Sequence, residues 1–492
     1  MNPFREVTHG IGEQHTQRAL LATLVAGALV AVSSILTMGY DGTAGAVVPV
    51  ALLGLFLALR RPWLFFAATL AQFSILPIEG YLYGFYVPNV TQFLIPALLL
   101  STVAYAVMTK RWGMFRIIPS DVFVALFMLV AVLGIALEPG YQNWKTFGNQ
   151  VGFAVLMYFV TRWMPLDRQR FRTVVKWVLI AAGFMLADLA LVQLTGLGRL
   201  WQRAGPLGTL SDQATYSALF PPFFLYMAAT ASEDGSVRNR KWWLLLALIG
   251  VVASAGVKER SGLVAGLLAM FICIAHPKMV KYVAIGTIIL IPVGAWWLST
   301  SLGSEIHSRF TDDEDPMLRR RIYVGKAIDY IRSEKWNPVL GTGFWRLKSL
   351  SNEMLSHTEV VWDANKQSWR TQWELGQRPI HCAPVTVFGE FGYAGAACIV
   401  GLGVCVGMSL FQQFVRARRR GRRVDTVFLV ALAGSAAGLL VNALFHNTDT
   451  VFPVTTLFWV ATGLLTGHPD VLMVDRAEVR EEAGRDVTRA AL

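Results

Sequence analysis

Long apolar runs separated by short polar loops dominate this chain of 492 residues. A helix needs about 20 predominantly apolar residues to cross the hydrocarbon core of a bilayer. By that measure the sequence predicts about fourteen spans, since periodicity and length together distinguish long helices from short buried strands. They lie at 19–38, 43–59, 63–79, 91–108, 122–137, 146–161, 172–195, 213–231, 242–256, 261–275, 282–299, 383–410, 425–445 and 451–466. The predicted fold is therefore all-α, a polytopic membrane bundle of about 12 to 14 transmembrane helices.

The spans divide the chain into four predicted segments. These are an N-terminal transmembrane bundle at 1–299, one large polar loop at 300–382, C-terminal transmembrane helices at 383–466 and a tail at 467–492. Within the loop, apolar residues at 324, 328 and 331 have helical spacing, which predicts an amphipathic helix on the membrane or on the bundle. The segment from Asn337 to Phe344 predicts a turn that re-enters the core.

Composition and charge place the chain in a membrane. Hydrophobic residues make up 54% and charged residues 15%, which excludes an ordinary soluble domain. The net charge is +12, and its placement is more informative than its sum. With a cytoplasmic N-terminus, most cation-rich loops, including Arg416–Arg423, also lie in the cytoplasm, as the positive-inside rule requires. We therefore predict an even number of spans with both termini cytoplasmic, a lipid-bilayer environment and no nucleic-acid partner.

A few cations fall on the opposite, outer face. They are Arg199 and Arg203 after the seventh predicted span, and Lys258 and Arg260 in a tight turn. One interpretation is simple pairing with Glu259, or snorkelling to lipid headgroups. The other is an anionic ligand, because a guanidinium group binds phosphate through two parallel hydrogen bonds.

His381 ends the large loop just before a long apolar run. Pro384 fits the first turn of the helix that follows, where an amide group has no intrahelical partner. The positive end of that helix opposes an imidazolium, so the ring is expected to stay neutral and able to accept a proton. The alternative is an interfacial histidine that only packs against the helix start.

These outer-face residues suit one reaction. Arg203 and Arg260 would hold a diphosphate leaving group while His381 takes a proton from an attacking hydroxyl. No cluster of Asp residues follows the first span, so we predict a metal-independent reaction and no cofactor. The substrate expected of so apolar a protein is a lipid-linked sugar diphosphate. The loop is rich in Trp, which either stacks on sugars or anchors the loop at the bilayer interface.

The order of five short motifs resembles the O-antigen ligase and polysaccharide polymerase superfamily of bacterial inner membranes. The motifs are Arg203-Ala-Gly-Pro-Leu-Gly, Lys258-Glu-Arg-Ser-Gly-Leu, Gly341-Thr-Gly-Phe, His381, and Gly389-Glu-Phe-Gly-Tyr-Ala-Gly. The resemblance covers roughly residues 200 to 410, around the one large loop.

The resemblance implies a GT-C-like, inverting glycosyltransferase with its active site on the periplasmic face. Such an enzyme moves a glycan from an undecaprenyl-diphosphate carrier to a hydroxyl of a glycan or glycolipid acceptor. A ligase and a polymerase differ only in that acceptor, and both remain open. By position His381 matches the catalytic histidine, and Arg203 and Arg260 match arginines that bind diphosphate. Lys258 is predicted to join them, and four further residues are candidate contacts to the acceptor or the loop: Arg320, Trp369, Trp373 and Glu390.

Two other classes compete with this interpretation. A transporter or flippase for polysaccharide or a lipid-linked glycan predicts internal repeats with matched broken helices and ionisable groups at mid-membrane. The sequence shows no repeat, although Glu79 and Asp188 lie near or within apolar runs. A non-catalytic scaffold of a polysaccharide assembly complex predicts that His381→Ala leaves the glycan product intact.

Overall fold

The structure is a computed structural model, and it describes most of the apolar part of the chain. The described residues are 61–75, 80–82, 85–87, 91–137, 144, 147–195, 201–203, 217–231, 239–256, 260–298, 315–344, 346–347, 360–363, 368–371, 382–445 and 452–474. At Arg203, Arg260, Arg320 and Trp369 the description covers the backbone. The spans predicted at 19–38 and 43–59 lie outside the described residues.

Helices make up most of the described chain. In order they are α1 Pro62–Ile75, α2 Thr91–Met108, α3 Pro119–Leu137, α4 Phe153–Trp163, α5 Arg168–Thr195, α6 Pro221–Ala229, α7 Arg240–Gly256, α8 Arg260–Cys273, α9 Pro277–Leu298, α10 Asp315–Ile331, α11 Ala383–Arg419, α12 Thr426–Phe445 and α13 Phe452–Gly467. A single 3₁₀ turn at Trp112–Phe115 precedes α3, and a π turn at Gly148–Gly152 leads into α4.

Each predicted span that falls on described residues coincides with one of these helices, although several ends differ. α11 was predicted to end at 410 and continues to Arg419. Its last turn carries Arg416, Arg418 and Arg419, and cations there interact favourably with the negative end of a helix dipole. α6 is shorter than its predicted span, and it begins at Pro221, which fits a first helical turn.

Three described helices are long and apolar enough to cross a bilayer. They are α3, α11 and the first nineteen residues of α12, Thr426–Leu444. Six further apolar helices are shorter, between 10 and 17 residues. These lengths and compositions support a mostly helical membrane protein, and the number of crossings stays a prediction.

Short strands, which the all-α prediction did not contain, connect some of the loops. They are β1 Gly80–Leu82, β2 Phe85–Val87, β3 Trp201–Arg203, β4 Val360–Asp363, β5 Ser368–Thr371, β6 Arg423–Val424 and β7 Met473–Val474. All pair antiparallel, in one three-stranded sheet of order β2-β1-β3 and two two-stranded sheets: the β4-β5 hairpin, and β6-β7, whose strands are separated in the chain by α12 and α13. Each is two to four residues long, too short to give a hydrophobic periodicity that sequence reasoning could detect.

Small residues allow the helices to pack closely. A Cβ added at Gly438 of α12 would lie 2.8 Å from the carbonyl oxygen of Ala265 in α8, and one at Gly434 would lie 2.6 Å from that of Ala269. The contacts run in opposite order along the two helices, so α8 and α12 are antiparallel. Small side chains give such close approach in membrane bundles, where burial against lipid provides little driving force.

Polar contacts gather several helix ends at one side of the bundle, which we call the arginine-rich end. Arg168, which begins α5, donates to the Met473 carbonyl at 3.1 Å and lies 3.4 Å from Asp425, just before α12. His276 follows α8 and lies 3.1 Å from the Thr426 hydroxyl. Arg420, directly after α11, pairs with Asp470 at 3.1 Å. α5 therefore starts at this end, and α8 and α11 finish there.

Candidate active site

α11 is broken near its start, at Gly392. That residue has φ 61° and ψ −162°, a backbone conformation that L residues with a Cβ rarely adopt. A Cβ there would lie 2.5 Å from the Val339 carbonyl oxygen and 2.6 Å from the Gly341 nitrogen. The chain from Asn337 to Phe344 occupies the break, and we call this segment together with Gly389–Ala394 the clamp.

Backbone hydrogen bonds hold the clamp together. The amides of Thr342 and Gly343 donate to the carbonyls of Gly389 and Glu390, at 2.9 and 3.0 Å. In return the amides of Tyr393 and Ala394 donate to carbonyls of the Asn337–Phe344 segment, at 2.8 and 3.1 Å. The Trp336 indole adds a bond to the Gly389 carbonyl at 3.0 Å. The groups freed by the break are thus satisfied by the loop, as backbone at membrane depth requires.

Apolar side chains anchor the clamp in the core. Phe344 is 3% exposed and packs on Phe391 with ring centroids 6.2 Å apart. Phe391 also contacts Phe127 of α3 at 5.1 Å, and Phe344 contacts Phe147 at 5.7 Å. Gly343, with φ 85°, lies directly against the backbone of Gly134 in α3. The prediction that this turn re-enters the core is confirmed.

The amphipathic helix predicted in the large loop is present as α10, and it lies on the bundle. Ala327 of α10 is buried in a small apolar cluster with Leu347 and Cys382, against which Val324 also packs. The Ile331 side chain approaches the position where a Cβ at Gly389 would lie, at 3.3 Å. α10 therefore fixes the start of α11, and Cys382 is the residue next to His381 in sequence.

The beginning of α11 agrees with the sequence prediction. Cys382 is extended, with φ −153° and ψ 96°, and Pro384 lies in the first turn. The Thr386 amide and hydroxyl both donate to the Cys382 carbonyl, at 3.0 and 3.1 Å. His381 itself lies outside the described residues, as do Lys258 and Trp373.

The backbones of the two predicted diphosphate-binding arginines occur in different elements. Arg203 ends β3, where it pairs with Tyr81 of β1. This pairing brings the loop that follows α1 to the loop that follows α5. Arg260 is the first residue of α8.

Chain direction places these positions at the same end of the bundle. α8 and the part of α11 that follows Gly392 finish at the arginine-rich end, so Arg260 and Gly392 lie at the opposite end. Cys382 lies there too, because it packs with Leu347, three residues after the clamp segment that ends at Phe344. α5 starts at the arginine-rich end and has 28 residues, about 42 Å of helix at 1.5 Å per residue. β3, with Arg203, follows α5 and therefore also lies at the opposite end, which we call the site end. The three positions come from distant parts of the chain.

Three of the four candidate acceptor or loop contacts fall on described residues. The backbone of Arg320 is part of α10, and Trp369 pairs with Trp362 in the β4-β5 hairpin. Glu390 belongs to the clamp, where its residue is 1% exposed and its carbonyl accepts from Gly343.

A buried polar network, which sequence reasoning did not identify, lies at the arginine-rich end. The Asp121 carboxylate pairs with Arg162 at 3.0 Å and accepts hydrogen bonds from the Tyr158 hydroxyl at 2.7 Å and the Ile118 amide at 2.9 Å. Next to it, His468 Nε2 lies 2.7 Å from the Thr161 carbonyl. Burial and the neighbouring Arg162 charge lower the pKa of His468, so its ring is neutral near pH 7. Tyr158 also donates to the Ser120 hydroxyl at 2.8 Å, and at the same end Tyr226 of α6 donates to Asp425 at 3.3 Å.

Neither the protein-family models nor the curated proteins compared with this chain match it.

Proposed function

We propose that this protein is an inverting, metal-independent glycosyltransferase that moves a glycan from an undecaprenyl-diphosphate carrier to an acceptor hydroxyl. The observation that supports the proposal best is that three positions share one end of the bundle. The backbones of Arg203 and Arg260, and Cys382, the residue next to His381, all lie opposite the arginine-rich end. The proposed reaction needs cations at that end to bind the diphosphate, and the positive-inside rule does not explain cations there.

In the proposed reaction His381 accepts the proton of the attacking hydroxyl as its oxygen bonds to the anomeric carbon. The bond from that carbon to the diphosphate breaks, and the lipid diphosphate leaves as an anion. Arg203, Arg260 and Lys258 bind this anion, so they stabilise the transition state as negative charge develops. Attack opposite the leaving group inverts the anomeric centre. Arg320, Trp369, Trp373 and Glu390 are proposed to contact the acceptor or the loop.

The break in α11 is a feature that transporters share, because they also contain discontinuous helices. In transporters the freed backbone groups bind substrate or ions. Here the groups beside Gly392 are bonded to the Asn337–Phe344 segment. The break therefore supports a rigid anchor for the loop that leads to His381, in preference to a transport site.

Glycan transfer by purified protein is the direct test. Incubation with a defined undecaprenyl-diphosphate-linked oligosaccharide and a hydroxyl acceptor should give a lipid-free or extended glycan. His381→Ala should abolish this product, since general base catalysis contributes roughly 10² to 10⁴ in rate and no neighbouring base is predicted. The matched control is His276→Ala, whose ring lies at the arginine-rich end beside Thr426 and should not affect transfer. Product formed equally by wild type and His381→Ala would refute the proposal, as a scaffold or transporter predicts.

Chelation separates the proposed leaving-group stabilisation from a metal-assisted one. With arginine side chains as the counter-charge, EDTA should leave the initial rate of transfer unchanged at saturating donor. Loss of activity on chelation, restored by adding a divalent cation, would contradict the metal-independent mechanism.

A further inference from the structure

A large apolar cavity lies inside the bundle and has no role in the chemistry above. Its volume is about 480 Å³, and side chains of α1, α3, α4, α5, α6, α11, α12 and α13 line it. Phe344 and Phe391 of the clamp form part of its wall. An engineered apolar cavity of about 150 Å³ stays dry and takes up benzene, so a space roughly three times larger is suited to an apolar ligand.

The few polar groups in the wall do not favour water. Three lining residues carry a hydroxyl group, Thr161, Ser435 and Thr455, and the first two hydroxyls already donate to the carbonyls of Met157 and Leu219, each at 2.7 Å. A buried water needs two to four polar partners, whereas the other lining side chains are aliphatic or aromatic. Native interiors rarely leave so large a space empty, because side chains around a void lose dispersion contacts.

The cavity opens to the side of the bundle. Leu440 of α12 and Phe458 of α13 are 63% and 50% exposed, and both line it. α12 is one of the three helices long and apolar enough to cross a bilayer, so an opening beside it faces hydrocarbon. Along α12 the wall extends from Phe428 to Ala443, about 22 Å at a rise of 1.5 Å per residue, within a hydrocarbon core of about 30 Å.

From this geometry we infer that the cavity binds one hydrocarbon chain of a membrane lipid, which enters between α12 and α13 and extends toward the clamp. Two lipids carry such a chain: the polyprenyl diphosphate carrier and a bilayer phospholipid. The inference rests on the proposed function only in naming the first of these sources.

Two alanines on α12 give a matched test. Ala436 is exposed and lines the cavity, whereas Ala433, nearly one turn away, is also exposed and is not among the lining residues. Ala436→Trp should obstruct the opening, and Ala433→Trp should add the same indole outside it. Purified wild type and variants are loaded either with undecaprenyl diphosphate or with phosphatidylglycerol, and native mass spectrometry measures the lipid retained.

Ala436→Trp should retain about tenfold less of the bound lipid, the change expected when roughly two methylene groups lose their burial, and Ala433→Trp should retain as much as wild type. The lipid that shows the loss identifies the source. Equal retention in all three proteins would overturn the inference. Ala443→Phe, which fills another part of the wall, replaces Ala436→Trp if that variant does not elute as a folded protein.

Glycan transfer measured on the same samples separates the two proposals. Selective lipid retention without any transfer by wild type contradicts the proposed function and supports the cavity as a lipid site. Transfer by wild type with no selective retention contradicts the cavity inference alone.

Discussion

At the scale of single residues, Asp121 shows how a charge is kept inside a membrane protein. Its side chain is 10% exposed, that of Arg162 is 7% exposed, and Tyr158 and Ile118 donate to the same carboxylate. A buried ion is tolerated when it is paired and its remaining acceptor positions are hydrogen-bonded. Asp121 lies in α3 and Arg162 in α4, so no local sequence pattern predicted this pair. An isolated His or Arg beside an apolar run, in contrast, is recognisable in the sequence.

Asp121→Ala is therefore expected to destabilise the protein by about 3 to 5 kcal/mol, because it leaves the Arg162 charge buried and unpaired. Asp470→Ala is the matched control. It breaks the Arg420–Asp470 pair, whose side chains are 55% and 66% exposed, and exposed pairs contribute about 0 to 1 kcal/mol. Thermal unfolding in detergent measures both, and similar losses in the two variants would contradict a structural role for the buried pair.

At the scale of elements, hydropathy predicted most helices, and the residues from Asn337 to Phe344 predicted the turn there. It did not predict the break in α11, because 383–410 is a continuous apolar run and its partner segment lies about fifty residues earlier in the chain. The spacing of Gly341, Gly343 and Gly392 was visible, but the need for glycine follows only from the approach of the two backbones. The pairing of β1 with β3 was missed for the same reason, since neither strand is recognisable alone.

Gly392→Ala tests the clamp. A methyl group there would meet the Val339 carbonyl oxygen at 2.5 Å in a backbone conformation that costs a residue with a Cβ about 1 to 3 kcal/mol. We expect a lower unfolding temperature and a large loss of transfer, because the loop that leads to His381 loses its anchor. Gly403→Ala on the same helix is the control: a Cβ there meets nothing within 4 Å, and it should be neutral or stabilise by up to about 1 kcal/mol. Equal effects of the two substitutions would show that the break does not position the site.

At the scale of the whole molecule, the two ends of the bundle differ in kind. Ion pairs and the β6-β7 strands lie at the arginine-rich end. The clamp, α10 and the start of α8 lie at the site end. Charge placement along the sequence predicted that most cation-rich loops share one face. Arg168 and Arg420 lie at one end of the bundle, and the side of a membrane to which that end belongs stays a prediction. How close Arg203, Arg260 and His381 come could not be predicted, because it depends on how α5, α8 and α11 pack, and hydropathy contains no information on neighbours.

The central claim is that these arginines bind one diphosphate, and a double-mutant cycle on donor binding tests it most directly. The dissociation constant for an undecaprenyl-diphosphate-linked donor is measured for wild type, Arg203→Ala, Arg260→Ala and the double variant, with His381→Ala as a variant that should bind normally. Each single change should weaken binding by roughly 1.5 to 3 kcal/mol, the scale of a charged hydrogen bond. The loss in the double variant should differ from the sum of the two single losses by about 0.5 kcal/mol or more, as expected for residues that share a binding partner. Losses that add to within about 0.3 kcal/mol, or an arginine whose removal changes nothing, would contradict a shared diphosphate site.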